Sequence, residues 1–122
     1  MAATAKDQKM FVGIDVSKDR LDVHIHPVGE RFEVPRTEDG AEQLVTRLKS
    51  HDLAVIAMEA TGGYEVIVVA ALAAAALPVA VVNPKRIHNY AKALGVSAKT
   101  DAIDAHVIAR FACDVKPAVR AL

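Results

Sequence analysis

Phe11-Val12-Gly13-Ile14-Asp15-Val16 is a short, β-branched and almost wholly apolar run. It has neither the alternation of a half-exposed strand nor the length of a helix, so it predicts a central strand buried on both faces. Asp15 is its anomaly. An unpaired carboxylate inside a buried strand is costly, so Asp15 is expected where the strand opens onto a cleft. The alternative is an Asp belonging to the turn made with Ser17 and Lys18, which turn propensity also allows.

Outward from that run, Arg20 to His26 alternates, with Leu21, Val23 and Ile25 on one face and Asp22, His24 and His26 on the other. This predicts a half-exposed antiparallel strand with its histidines on the polar side. Pro27-Val28-Gly29-Glu30 is turn chemistry, and Arg31 to Pro35 completes a three-stranded meander. Thr37 opens a helix to about Lys49, with Ala41, Leu44, Val45 and Leu48 at core spacing. Leu53-Ala54-Val55-Ile56-Ala57-Met58 is a second buried strand, ending in Glu59. Strand, helix and strand in that order imply right-handed parallel pairing beside a central strand. Glu59 then lies at a carboxyl end, where open α/β sheets place their chemistry.

Ala60-Thr61-Gly62-Gly63 is a tight connection that matches neither phosphate-loop fingerprint, and Tyr64 to Leu77 predicts a helix apolar nearly all round. Pro78 to Val82 is the last strand. Asn83-Pro84 starts a helix that exposes Lys85, Arg86, His88 and Lys92, and Gly95 to Ala98 is a loop carrying Lys99 forward. These bases resemble a phosphate-binding patch; an ordinary solvated helix face is the alternative.

Lys99-Thr100-Asp101-Ala102-Ile103-Asp104-Ala105 follows. With Thr100 as N-cap, Asp101 and Asp104 fall three apart on one helix face, in the arc of Ala105, Ile108, Phe111 and Ala112. Carboxylates aimed at an interior require a cation or hydrogen-bond donors. The alternative is that both acids simply favour a first helical turn.

A chain of 122 residues with 52% hydrophobic and 25% charged residues is globular and has room for one core. Aromatic residues are only 4%, so small aliphatics must build that core. The formal net charge is zero, so nucleic-acid binding would depend on a local patch. The single cysteine, Cys113, excludes an intrachain disulfide and a Cys-based zinc site, and fits a reducing cytoplasm. The apolar run from Val66 to Val82 is interrupted by Pro78 and reads as a buried helix and strand, so no membrane partner is expected.

The elements add up to an α/β fold: a mixed sheet of three antiparallel strands plus two parallel strands, with helices on both faces. Asp15, Glu59, Asp101 and Asp104 can converge if the first and fourth strands are neighbours. A carboxylate cluster without Cys or His suits hard ions such as Mg²⁺, or Mn²⁺ as its substitute. Two such ions fit metal-assisted cleavage or strand transfer at a phosphodiester.

GIDVSKDRLDV at Gly13 to Val23, MEATGGYE at Met58 to Glu65, VVNPKRIHNYAKALG at Val81 to Gly95 and KTDAIDAHVIARFA at Lys99 to Ala112 together carry a resemblance. The chain resembles the N-terminal RuvC-like domain of the DEDD transposases of bacterial insertion sequences, also described as bridge-RNA-guided recombinases. The resemblance implies a ribonuclease H-like fold with the DEDD set on Asp15, Glu59, Asp101 and Asp104. It further implies Mg²⁺-dependent DNA cleavage and strand transfer, a structured guide RNA as partner, homo-oligomers (dimers or tetramers), and a cytoplasmic, nucleoid-associated location. Lys18, Lys85, Arg86 and Lys99 are the expected nucleic-acid contacts.

Family members are similar to this chain only in their first part and continue into a domain bearing a nucleophilic serine. Ser17, Ser50 and Ser97 do not match that serine's context. The expected organisation is therefore a tail over 1–10, the RuvC-like domain over 11–113, and a truncated linker over 114–122. Two other readings stand beside this one. A non-catalytic nucleic-acid-binding or oligomerisation fragment would use the apolar helix as an interface. An actin- or sugar-kinase-like nucleotide-binding domain shares the Gly-Ile-Asp strand, but here Val16-Ser17-Lys18 has no glycine.

Overall fold

The computed structural model describes residues 8–96 and 103–119. Five strands, β1 (Met10–Val16), β2 (Arg20–His26), β3 (Glu30–Pro35), β4 (Leu53–Glu59) and β5 (Val79–Val82), form one sheet in the order β3-β2-β1-β4-β5. β1 pairs antiparallel with β2 and parallel with β4; β2–β3 is antiparallel and β4–β5 parallel. This is the mixed sheet expected from the sequence, with β1 and β4 as neighbours. Asp15 lies inside β1 rather than in the turn, which begins at Ser17, whose N–H donates to the Arg20 carbonyl at 3.0 Å.

Helices α1 (Glu38–Leu48) and α2 (Val66–Ala74) cover one face, and α3 (Pro84–Ala93) and α4 (Ala105–Val115) the other. Val12, Ile14, Leu21, Val23, Ile25, Ile56 and Met58 point towards the first pair and pack with Leu44, Leu48, Val68 and Leu72. Val55, Ala57, Ala80 and Val82 point the other way, against Ile87, Ile108, Phe111 and Ala112.

Local chemistry sets the helix ends. Thr37 caps α1 by accepting from the Gly40 N–H at 3.0 Å, while Glu38 and Asp39 in the first turn and Arg47 in the last complement the helix dipole. Asn83 caps α3 through the Lys85 N–H at 2.8 Å, with Pro84 at the first position. α2 is shorter than the predicted Tyr64–Leu77 span. At its start, Gly62 and Gly63 take positive φ and the Glu65 side chain turns back to the loop's N–H groups. At its end, Ala76 takes φ 60° while its N–H bonds Ala73 and that of Leu77 bonds Leu72, a Schellman closure.

Two further differences bear on the site. The face of β2 carrying Asp22, His24 and His26 is not simply solvent-exposed: α4 packs on β1 and β2, and His24 is buried at 8% exposure. α4 also begins later than Thr100 would have it, at Ala105, with Asp104 as N-cap. Asp104 therefore precedes the helix, and its partner Asp101, with Lys99, falls outside the described residues.

Candidate active site

Strand register builds the centre of the site. The β1–β4 ladder pairs Gly13 with Ala57 and Ile14 with Met58. One step further along, it brings Asp15 level with Glu59 at the carboxyl ends of two parallel strands, on the α3/α4 face. Across the β1–β2 ladder Asp15 is directly opposite Asp22. Asp104, at the entry to α4, completes the acidic neighbourhood: its Oδ1 accepts from the Val107 N–H at 3.1 Å. A carboxylate at that helix start is also favoured by the dipole.

Gly13 makes this arrangement sterically possible. A Cβ at that position would collide with the Ala105 carbonyl oxygen and the Ala109 backbone nitrogen, so α4 rests backbone to backbone on β1 two residues before Asp15.

The electrostatics follow from crowding. Burial pushes the Asp15 carboxyl above its ordinary range, and Asp22 and Asp104 push it the same way, with Arg20 opposing them. Arg20 is tied to Asp22, Nε donating to Oδ2 at 3.1 Å. Burial likewise raises Glu59; His88 works against that rise, its Nε2 lying 3.7 Å from Glu59 Oε1, and Asp15 adds to it. Asp15 thus feels like charge from Asp22 and Asp104, and Glu59 feels it from Asp15 against the opposing His88, a crowding that a cation would relieve.

An open cleft of about 470 Å³ adjoins these acids, bounded by Asp15, Asp22, Arg31, Asp104 and the imidazoles of His24 and His106. The two rings lie 4.6 Å apart, centroid to centroid. Burial holds the His24 pKa below its ordinary value, helped by His106, Arg31 and His26.

The other expected residues fall as follows. Lys18 is exposed in the turn after β1, at the sheet edge where Asp15 and Glu59 lie. Lys85 and Arg86 are exposed on the first turn of α3, which follows β5 at that same edge, and the Arg86 guanidinium lies 5.5 Å from the Phe111 ring centre. Asp22 and His88 were missed as site residues. A tight turn over Ser17 to Asp19 is a signal for Asp22, because that loop length alone sets it opposite Asp15.

The donor set is all carboxylate, which suits a hard divalent ion. Among the described residues no three Asp, Glu, His or Cys side chains form a closed metal-binding set. The fit therefore rests on Asp15, Glu59 and Asp104 facing one locality, with the fourth acid outside the described residues.

Comparison with known proteins gives concordant findings. A family model of DEDD transposases of IS110 type, described as a transposase, matches residues 12–121. Pilin gene-inverting proteins of Moraxella lacunata and Moraxella bovis are each 30% identical over 115 residues, covering 89% of this chain. The chain spans 36% of the length of each of those relatives. Among solved structures, T. thermophilus RuvC in complex with a Holliday junction substrate superposes with a TM-score of 0.60 at 15% identity, over 92% of this chain and 99% of that one. That likeness shows the fold: a RuvC-like, ribonuclease H-like sheet and helices.

Proposed function

This chain belongs to that DEDD transposase family, and from this premise we propose that it is the nuclease-like domain of a DNA recombinase that cuts and rejoins phosphodiester bonds. Asp15, Glu59 and Asp104, completed by Asp101, would hold Mg²⁺, with Mn²⁺ as a substitute. Bound there, such ions supply Lewis-acid stabilisation of charge on the phosphate oxygens and an activated oxygen nucleophile. The chain's own residues do the positioning. β1 and β4 fix Asp15 and Glu59 side by side, the cap at Asp104 fixes its Oδ1, and Lys18, Lys85 and Arg86 would draw the DNA backbone to this edge, with Lys99, outside the described residues, as a further expected contact.

The observation that carries the reading is the shared locality of Asp15, Glu59 and Asp104 at the carboxyl ends of parallel strands, each ladder and cap converging there. The relatives are pilin gene-inverting proteins, of whose length this chain spans 36%. The proposal gives inversion or transposition to this domain acting with a second, serine-bearing one. A structured guide RNA, assembly into dimers or tetramers, and a cytoplasmic, nucleoid-associated setting belong to the same proposal. Among the described residues no helix is long and apolar enough to cross a membrane.

The test is calorimetric titration of Mn²⁺ into the wild-type chain and into Asp15→Ala. Binding that disappears in the variant supports the metal site. Absence of binding to the wild type favours the non-catalytic nucleic-acid-binding fragment instead.

A further inference from the structure

Arg36 and Tyr64 close the carboxyl edge of the sheet on the side away from Asp104. Arg36 follows β3, which runs in the same direction as β1, and Tyr64 lies in the loop that leaves β4 after Glu59. The Arg36 Nε donates to the Lys18 carbonyl at 2.6 Å and its backbone N–H donates to the Asp19 carbonyl at 3.1 Å, so Arg36 is fastened to the turn that follows Asp15. Its guanidinium carbon lies 4.8 Å from the centre of the Tyr64 ring. A continuous line of contacts thus joins the loop after the Asp15 strand to the loop after the Glu59 strand.

Another arginine–aromatic pair, Arg47 with Phe32, gives an informative contrast. Arg47 lies over Phe32 at 3.8 Å but is neutralised by Glu30, Nη2 to Oε2 at 2.6 Å. Arg36 has no ion-pair partner among the described residues, and its two Nη groups have no protein acceptor there. Tyr64 is 43% exposed, a large aromatic surface left in solvent beside a cation with no ion-pair partner among the described residues. The loop that presents it is held still: Glu65 accepts from the Thr61 N–H at 3.0 Å, the Gly63 N–H at 3.2 Å and the Thr61 hydroxyl. An aromatic face beside a guanidinium whose two Nη groups have no acceptor among the described residues is the equipment for stacking one base and holding its phosphate.

We propose that Tyr64 and Arg36 form a stacking subsite for one unpaired nucleotide of the DNA strand that enters the carboxylate site. It rests on the nuclease reading above and extends it by giving the site a preference for unpaired over fully duplex DNA. The ring stacks on the base, and the Arg36 Nη groups bind its phosphate while Nε stays on the Lys18 carbonyl.

The test uses the full chain in buffer free of divalent metal, so that failure of the metal assignment leaves the readout intact. A single-stranded DNA oligonucleotide carrying a fluorescent aminopurine is compared with its duplex and with an RNA of the same sequence. Wild type and Tyr64→Phe are expected to quench the aminopurine and to bind the single strand more tightly than the duplex. Tyr64→Ala should lose the quenching and bind about 5- to 150-fold more weakly, the range for one stacked base. Arg36→Ala should weaken binding, and Arg47→Ala should leave it unchanged. Equal affinity and quenching in Tyr64→Ala overturns the subsite while leaving DNA binding by the chain standing. Tighter, Tyr64-dependent binding of the RNA overturns the assignment to DNA, and failure to bind the single-stranded DNA overturns this subsite, while the nuclease reading stands or falls separately on the Mn²⁺ titration.

Discussion

The backbone of Ala109 lies directly over Gly13, so close that Gly13 has no room for a side chain. This contact fixes the height of α4 above the sheet, and through it the position of Asp104 relative to Asp15. One glycine in the central strand therefore links packing to the geometry of the acids.

Gly13→Ala should be destabilising although Ala is ordinarily the easier residue to order. The new methyl meets backbone on both sides, which cannot rotate away, so overpacking of about 1–3 kcal/mol or more is expected. For a chain of this size that lowers the melting temperature by roughly 3 °C per kcal/mol or more. Thermal unfolding by circular dichroism measures it, and an unchanged midpoint would mean that α4 does not sit on β1 as described.

Asp15 and Asp22 face each other across the β1–β2 ladder, an unfavourable like-charge pair worth about 0.2–1 kcal/mol. Asp15→Asn should stabilise the metal-free chain at neutral pH by an amount of that order. The pH sign follows from the raised carboxyl: the folded state holds the Asp15 proton more tightly than the unfolded state does. Wild-type stability attributable to this group therefore increases as pH falls through its folded pKa towards the ordinary 3.8, and Asp15→Asn removes that gain. Urea unfolding of both proteins at neutral and mildly acidic pH separates them.

The sheet was legible because its signals are local. Apolar runs mark β1 and β4, alternation marks β2, and the crossover rule favours β1 and β4 as neighbours, the condition for Asp15 and Glu59 to meet. What stayed hidden depends on contacts far apart in the chain. Alternation assigned His24 to solvent, yet α4, some eighty residues later, covers that face. Thr100 and Asp104 are both favoured caps by residue type, and the modest preference for Asp over Thr does not by itself set the helix start. Ala105 sitting on Gly13 ties the helix start to the sheet, a tertiary constraint. The pairing of His88 with Glu59 is of the same long-range kind.

Ala76 occupies the left-handed position of a Schellman closure that glycine normally fills. Relieving that strain, Ala76→Gly should stabilise the chain by about 1 kcal/mol even though glycine is the more flexible residue when unfolded. A lower melting temperature in the variant would contradict the assigned closure of α2.

Glu65 supplies an acid-labile contribution. Its hydrogen bonds from the Thr61 hydroxyl and the loop N–H groups pull its carboxyl from the ordinary 4.5 down to about 2. The stabilisation is complete above pH 4.5 and is lost as pH falls from there through about 2. Allowing for solvent screening it amounts to about 1 kcal/mol. Glu65→Gln should be less stable than wild type at neutral pH and converge with it below about pH 2, measured by chemical denaturation at each pH.

Asp104 does two jobs, and substitutions can part them. As N-cap it accepts the Val107 N–H, a task Asn performs about as well and Ala not at all. As a carboxylate it adds negative charge beside Asp15, which Asn does not. Asp104→Asn should therefore keep the stability of α4 and gain slightly from reduced repulsion with Asp15, while Mn²⁺ binding is lost. Asp104→Ala should lose metal binding and, in addition, about 1 kcal/mol of stability from the missing cap. Melting and Mn²⁺ titration of the two variants side by side decide the matter. If Asp104→Asn binds Mn²⁺ as wild type does, Asp104 is a helix cap and nothing more. If both variants lose the metal but only the alanine form melts early, one residue both starts the helix and serves the site.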